Sequence, residues 1–280
     1  MKTGLILEGG AMRGLYTAGV LDVFLENGIE ADGVIGVSAG AVHGCSYVSK
    51  QLGRSIRYYC KYSKHKHFMS WYSFFTTGDI VNRKFCYDDL PNRLDPFDNE
   101  TFMKSKQVFY TTVTNCNTGE AEYLKCDDLE AQIDNIRASA SMPIVSHMVE
   151  INDQMYLDGG MSDSVPLKAF EKMGYDKNIV VLTRPKGYRK KPEKAGIIKL
   201  VYRKYPKLVE TMAGRANMYN ETMEYIERLE DEGKIIVIRP SEKKAISRME
   251  KDPEKLKAWY EVGRKDTLKV IDKIKEFYNM

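Results

Sequence analysis

A serine flanked by glycines is the first candidate for chemistry. Residues 36–40 read G-x-S-x-G, with Ser38 at the centre. An apolar run precedes the pattern, and residues 39–48 can form a helix. Strand, sharp turn and helix is the context that exposes a nucleophilic hydroxyl at the positive end of a helix. Gly36 and Gly40 would let the strand and the helix close on each other. The alternative is a tight strand-to-helix turn without a chemical role.

A second glycine-rich segment follows the apolar residues 4–7 and precedes an amphipathic helix. Its spacing fits neither G-x-G-x-x-G nor the Walker A pattern, because the third glycine and the lysine of those motifs are absent. A loop of backbone N–H groups with one arginine suits an oxyanion hole or an anion nest. A turn that only packs closely is the alternative. The loop residues are Gly9, Gly10, Ala11, Met12, Arg13 and Gly14.

A serine nucleophile needs a base, and the histidines are poorly placed for that role. The order serine, acid, histidine requires a late histidine, whereas the chain has His43, His65, His67 and His147. A carboxylate is the other option. Asp158 ends a predicted strand, and Gly159 and Gly160 after it would let another backbone approach. Asp158 could equally cap its own backbone in an Asx turn.

Composition excludes several classes of protein. A net charge of +4 over 280 residues argues against a dedicated nucleic-acid-binding protein. No signal-peptide pattern or membrane-spanning apolar run is present, so we expect a cytoplasmic chain that meets membranes only peripherally. The motifs contain no cluster of metal ligands, and no metal or cofactor is expected. The cysteines are odd in number and widely spaced, which is typical of reduced thiols: Cys45, Cys60, Cys86, Cys116 and Cys126.

Hydrophobic patterning predicts alternating strands and helices. The predicted strands are 4–7, 33–35, 107–115, 121–125, 149–151, 154–157, 178–183 and 234–238. The predicted helices are 15–26, 39–48, 55–63, 128–139, 167–173, 210–232 and 253–278. The aromatic segment 55–98 is expected to be loop-rich beyond its first helix. It would form a lid, a pocket wall or a hydrophobic cluster under a loop.

The C-terminal part of the chain begins with a dense run of cations, Arg184 to Lys207. This run suits peripheral contact with anionic lipid headgroups, although a solvated surface explains it as well. The strand predicted at 234–238 should join the same sheet as the earlier strands. We therefore expect a catalytic domain at 4–170 and an α/β extension at 171–280 that packs on it.

The three motifs together resemble the patatin-like phospholipase family. Its marks are G-G-G-x-R/K-G, G-x-S-x-G and D-G-G/A, which match residues 9–14, 36–40 and 158–160 in this order. The resemblance covers roughly residues 4–170. Ala11 departs from the family pattern, because it stands where the family has its third glycine. The residues around the first motif resemble a bacterial subgroup that also carries a C-terminal extension.

The resemblance implies a three-layer α/β/α fold with a central, mostly parallel sheet and a helical C-terminal extension. It also implies a Ser-Asp dyad without histidine, with Ser38 as nucleophile and Asp158 as base. The N–H groups of Gly10, Ala11 and Met12 would hold the oxyanion. The remaining motif residues would shape the site: Gly9, Arg13, Gly14, Gly36, Gly40, Gly159 and Gly160.

The implied function is a serine acyl hydrolase, either a phospholipase A-like lipid acyl hydrolase or a carboxylesterase. An unperturbed aspartate, with a pKa near ~4, is too acidic to accept a proton efficiently at neutral pH, so burial would have to raise the pKa of Asp158. Two alternatives stay open. One is an acyltransferase, and the other is a non-catalytic module that binds anionic lipid or protein. The sequence does not set the oligomeric state.

Overall fold

A computed structural model describes residues 1–192 and 196–280. Over these residues the chain forms an eight-stranded mixed sheet with helices on both faces. The strands are β1 (Lys2–Leu7), β2 (Gly33–Val37), β3 (Val108–Asn115), β4 (Ala121–Cys126), β5 (Val149–Ile151), β6 (Gln154–Asp158), β7 (Tyr175–Val181) and β8 (Ile235–Ile238). The helices are α1 (Leu15–Glu26), α2 (Ala39–Val48), α3 (Arg54–Tyr62), α4 (Trp71–Thr77), α5 (Asn99–Lys104), α6 (Ile133–Ser139), α7 (Leu167–Lys172), α8 (Gly196–Val201), α9 (Pro206–Asp231), α10 (Pro253–Leu268) and α11 (Ile271–Tyr278).

The sheet has the mostly parallel centre of a three-layer α/β/α fold. Strands β3, β2, β1, β7 and β8 lie side by side and run parallel. Helices α1, α2, α3 and α10 contribute to a core on one face. Helices α7 and α9 pack on the other face around Phe170, Tyr219 and Ile226. Nonpolar burial on both faces explains why the central strands read as continuous apolar runs.

Two strands meet end to end along one edge of β3. Strand β4 pairs antiparallel with 109–114 of β3 and occupies the opposite edge. Parallel β2 pairs with β3 up to Val37 opposite Thr112, and antiparallel β6 pairs with it from Asp158 opposite Val113. The carboxyl ends of β2 and β6 therefore face each other across neighbouring positions of β3. This register brings the residue after β2 next to the last residue of β6.

Most of the predicted elements are confirmed, and two helices match in both bounds. Helix α1 ends at Glu26, shortly before Gly28 in the left-handed region, and α2 spans 39–48 as predicted. The strand predicted at 234–238 pairs parallel with β7, so it belongs to the same sheet. The strand predicted at 178–183 starts earlier, at Tyr175, and ends at Val181. Helix α9 starts before the predicted 210, because Pro206 is preorganised for the first helical turn.

Three predictions are corrected by the structure. The segment after α3 is not mainly loop, because it contains α4 and a π-helical stretch, Phe85–Leu94. The helix predicted at 128–139 begins only at Ile133. Its first residues form turns instead, in which the Asp128 carboxylate accepts the N–H of Ala131. The helix predicted at 253–278 is two helices, α10 and α11, broken where the N–H of Val270 bonds back to Thr267.

The C-terminal elements contact the first helix closely. Gly263 of α10 lies against the carbonyl oxygen of Tyr16, and Gly19 of α1 lies against that of Tyr260, with no room for a Cβ atom. The Arg264 guanidinium also pairs with Glu26. Among the described residues, no helix has both the length and the apolar character needed to cross a bilayer. Glu193 and Lys194 of the basic run lie outside the described residues.

Candidate active site

Ser38 occupies a strained turn between β2 and α2. Its φ of 54° and ψ of −121° lie where residues with a Cβ are rarely found, which is the expected backbone of a nucleophile elbow. The N–H of Ser38 donates to Ser139 Oγ at 2.9 Å, and this hydroxyl donates to the carbonyl oxygen of Thr112 at 2.7 Å. Ser139, at the end of α6, therefore holds the turn in place.

Asp158 ends β6 beside Ser38 and is 5% exposed. One carboxylate oxygen accepts the N–H of Gly160 at 2.8 Å, so the aspartate does cap its own backbone. Burial raises the pKa of Asp158, whereas the nearby Ser38 hydroxyl and the hydrogen bond from the Gly160 N–H oppose the rise, as do the charges of Arg215 and Arg248. The two roles weighed for Asp158 are thus compatible, because the carboxylate serves the turn and faces the serine.

The glycine-rich loop packs directly on the elbow. A Cβ atom at Gly9 would stand 2.8 Å from Ser38 Cβ, so only glycine permits this approach. Ala11 has a φ of 50°, in the left-handed region that glycine adopts without cost and that residues with a Cβ rarely adopt. The N–H groups of Gly10 and Ala11 have no hydrogen-bond partner among the described residues. The N–H of Met12, by contrast, points to the carbonyl oxygen of Arg248 at 3.4 Å.

Arg13 shapes this loop from a buried position. Its Nε donates to the Gly10 carbonyl oxygen at 3.4 Å, and its own carbonyl oxygen accepts the indole N–H of Trp259 at 2.9 Å. Burial, followed by repulsion from Arg184 and Arg248, lowers the pKa of Arg13 to about 10. The guanidinium stays charged at neutral pH and adds positive charge beside the site.

Glu8 fixes the end of β1 just before the loop. Its buried carboxylate accepts the N–H of Thr183 at 2.6 Å, the Thr183 hydroxyl at 3.0 Å and the Tyr219 hydroxyl at 3.0 Å. These three hydrogen bonds compensate the burial of the charge. Glu8 thus links the start of the loop to the segment after β7 and to α9.

Ser38 lies where a polar chamber and an apolar channel meet. The polar chamber, so named because charged side chains line it among apolar ones, has a volume of about 250 Å³ and also contains Asp158, Gly10 and Arg13. The apolar channel measures about 80 Å³, and its walls are mainly apolar and aromatic: Met12, Ala39, Val42, Tyr58, Tyr59, Phe68, Met69, Val81, Cys86, Tyr87, Leu90, Ala140 and Met142. A groove of about 780 Å³ shares Val42, Tyr58, Cys86, Tyr87 and Leu90 with the channel, so the two adjoin.

The histidines lie outside both cavities. His43 is buried in the core, with Nδ1 at 3.0 Å from Ser55 Oγ and its ring against Tyr59, and burial lowers its pKa to about 3. His147 lies on the surface beside α4, with Nε2 at 3.0 Å from the Thr77 carbonyl oxygen. The other two, His65 and His67, lie near each other in the loop after α3. Among the described residues, no group of three or more acids, histidines or cysteines could hold a metal ion.

Sequence reasoning missed several residues that build the site. Ser139 and Thr112 hold the elbow, and Arg215 Nε donates to the Gly160 carbonyl oxygen at 2.7 Å. None of these residues stands near a motif in the sequence. Arg184 lies in the basic run, but a run of cations marks surface charge rather than a cavity wall. Arg248 carries no sequence signal.

Comparison with known proteins identifies the same region. A family model described as patatin-like phospholipase matches residues 5–171. A second model, described as a domain of unknown function, matches residues 205–279. The uncharacterised protein YjjU of Escherichia coli is 27% identical over 66% of this chain and 52% of its own length. Lysophospholipase NTE1 of Candida glabrata is 27% identical over 61% of this chain and 10% of its own length.

A viral relative and a solved structure extend the comparison. Probable lipid hydrolase 463L of Invertebrate iridescent virus 6 is 24% identical over 62% of this chain and 65% of its own length. The crystal structure of VipD from Legionella pneumophila aligns with a TM-score of 0.47 and 14% identity, covering 97% of this chain and 67% of that chain. The chain spans about half of YjjU and about a tenth of the fungal lysophospholipases it matches.

Proposed function

The chain belongs to the patatin-like phospholipase family, and we propose that it is a serine acyl hydrolase that cleaves lipid or other acyl esters through Ser38 and Asp158. The observation that carries the proposal is the end-to-end meeting of β2 and β6 on β3, which presents a strained serine to a buried carboxylate. The relatives named lysophospholipase and lipid hydrolase support the same reaction class.

The proposed reaction proceeds through an acyl-serine. Ser38 Oγ attacks the ester carbonyl carbon while its proton passes to Asp158. The N–H groups of Gly10 and Ala11 then stabilise the oxyanion, because they border the cavity and have no other partner among the described residues. As the ester C–O bond breaks, Asp158 returns the proton to the departing alcohol. Water, activated by the same carboxylate, hydrolyses the acyl-serine.

The two cavities that meet at Ser38 would fix the orientation of a bound ester. The apolar channel suits the acyl chain, and the adjoining groove offers room for a longer chain. The polar chamber suits the alcohol part of the ester. Tyr58, Tyr59 and Phe68 both line the channel and belong to the core, so core packing and chain binding use the same side chains.

We also propose a peripheral contact with anionic membranes and a cytoplasmic location. Helix α8 exposes Ile197, Leu200 and Val201. Ile144, which is also exposed, lies beside the end of this helix, because its N–H donates to the Tyr202 hydroxyl at 2.7 Å. Exposed cations flank these side chains: Lys199, Arg203, Lys204 and Lys207. Apolar side chains among cations suit an anionic interface. The five free thiols fit a reducing compartment.

Hydrolysis of p-nitrophenyl esters and of lysophospholipids tests the proposed activity. The wild-type protein should release free fatty acid, and Ser38→Ala should not, while far-ultraviolet circular dichroism shows both folded. Fatty acid transferred to an added alcohol in preference to water would indicate an acyltransferase. A wild-type protein that binds lipid but turns over none of these esters would contradict the proposal and favour a binding module.

A further inference from the structure

We propose that the C-terminal part of the chain completes the site with a pocket for an anionic, phosphate-bearing headgroup, so that acidic phospholipids are preferred over zwitterionic ones. The inference rests on the proposed function. Its basis is that Arg184 and Arg248, which lie beyond the matched family region, line the same polar chamber as Ser38 and Asp158.

The described wall of the polar chamber carries more positive than negative charge. Its cations are Arg13, Arg184, Lys190, Arg215 and Arg248, and its carboxylates are Glu8 and Asp158. Glu8 is already engaged by three hydrogen bonds. Arg13 is close enough to Arg184 and to Arg248 for each of them to repel its guanidinium group. Glu8 and Asp158 offset part of this positive charge, and an anion that binds beside the arginines would offset more of it.

Aromatic rings contact two of these cations. The Arg184 guanidinium stacks 4.3 Å from the Tyr188 ring centroid, and Lys190 Nζ lies 4.3 Å from that of Tyr219. Among the described residues, no carboxylate lies within salt-bridge distance of Arg184 or Arg248. A cation–π contact orients a cation without neutralising it, so the charge of Arg184 remains available to a ligand.

The positive charges lie in the chamber that would hold the headgroup, and the channel that would hold the acyl chain is mainly apolar. Ser38, Ala11 and Met142 lie on the boundary between the apolar channel and the polar chamber. With the acyl chain in the channel, the glycerol and its phosphate extend into the chamber. Arginine suits this role because its planar fork binds two phosphate oxygens at once. A headgroup that also carries a quaternary ammonium would place a positive charge among these cations, and repulsion would weaken its binding.

Short-chain lipids below their micellar concentration test this pocket without a membrane surface. The measured quantity is the ratio of kcat/KM for dihexanoyl phosphatidylglycerol to that for dihexanoyl phosphatidylcholine. We expect the wild-type ratio to exceed one and Arg184→Gln with Arg248→Gln to lower it by about tenfold. Arg228→Gln with Lys234→Gln removes the same two positive charges from exposed positions outside the chamber and should leave the ratio unchanged. A ratio that is unchanged by the Arg184→Gln, Arg248→Gln double substitution would overturn the inference.

A binding measurement separates this inference from the proposed function. Calorimetry on Ser38→Ala, titrated with the same two lipids, reports headgroup preference even if no ester is hydrolysed. Preferential binding of phosphatidylglycerol that the double substitution abolishes supports the pocket. Equal binding of both lipids overturns it. Inorganic phosphate that binds as tightly as the anionic lipid would identify a site for a free anion and would also overturn it.

Discussion

The indole N–H of Trp259, in α10, donates a 2.9 Å hydrogen bond to the carbonyl oxygen of Arg13, in the glycine-rich loop. The two residues lie 246 positions apart in the sequence. Trp259 also packs its ring against Tyr16, the second residue of α1. A residue of the C-terminal part thereby positions the loop that we propose as the oxyanion hole. Through this hydrogen bond, a change in helix α10 can alter the position of the loop and therefore the activity.

Trp259→Phe should lower both stability and kcat. Phenylalanine keeps an aromatic ring but leaves the buried Arg13 carbonyl oxygen without a donor, which costs about 1–3 kcal/mol. Thermal denaturation and esterase assays measure the two effects. The matched control is Tyr260→Phe, which removes a buried hydrogen bond of 2.8 Å to Asp22 from the same helix without touching the loop. The control should lose stability and keep its kcat, and equal kcat losses would refute the positioning role.

Gly9→Ala should reduce activity sharply. The new Cβ atom would stand 2.8 Å from both Ser38 Cβ and the Val37 carbonyl oxygen, so the loop and the nucleophile must move apart. A misplaced reacting group costs about 100-fold in rate. Gly214→Ala is the control, because open space surrounds that position in α9 and alanine favours a helix by about 0.5–1 kcal/mol. An active Gly9→Ala enzyme would show that the close approach is dispensable.

The rate should rise with pH through the ionisation of Asp158. Only the carboxylate form can accept the Ser38 proton, and burial holds its pKa above the ordinary value of about 3.9. The expected kcat/KM profile for a neutral ester therefore has an acidic limb displaced toward neutrality. Titration of activity between pH 4 and 8, about the stable range of most domains, measures it. A rate that stays constant down to pH 4 would contradict an aspartate base.

Asp158→Asn should stabilise the protein at neutral pH. Because the folded-state pKa lies above the unfolded value, the ionised carboxylate costs stability once the pH exceeds the folded pKa. This cost disappears as the pH falls below the unfolded value, so the advantage of the asparagine variant should shrink in acid. Thermal denaturation of the wild type and the variant, at neutral pH and in acid, measures this difference in stability. Asp163→Asn, which also removes a carboxyl group whose pKa burial raises, should show the same trend but keep full activity.

The motifs predicted which residues the fold brings together around Ser38 better than the hydrophobic patterns predicted the helix bounds. Glycine spacing around Ser38 and Asp158 is local information, and so is the apolar periodicity that predicted α1 and α2. The break between α10 and α11 was not predictable, because apolar residues continue on both sides of it and pack on one core. The hydrogen bond from Ser38 to Ser139 and the approach of Arg248 depend on tertiary contacts over more than 100 positions. Local patterns do not contain such contacts.

The central claim is that Asp158 activates Ser38, and intact-mass analysis after treatment with a fluorophosphonate tests it most directly. The wild-type protein should gain one adduct, Ser38→Ala none, and Asp158→Asn an adduct only at a greatly reduced rate. Ser164→Ala is the control, because this buried serine lines the same chamber but donates to the Gly160 carbonyl oxygen at 2.8 Å. It should be labelled like the wild type. Labelling of Ser38→Ala, or an undiminished rate in Asp158→Asn, would contradict the account.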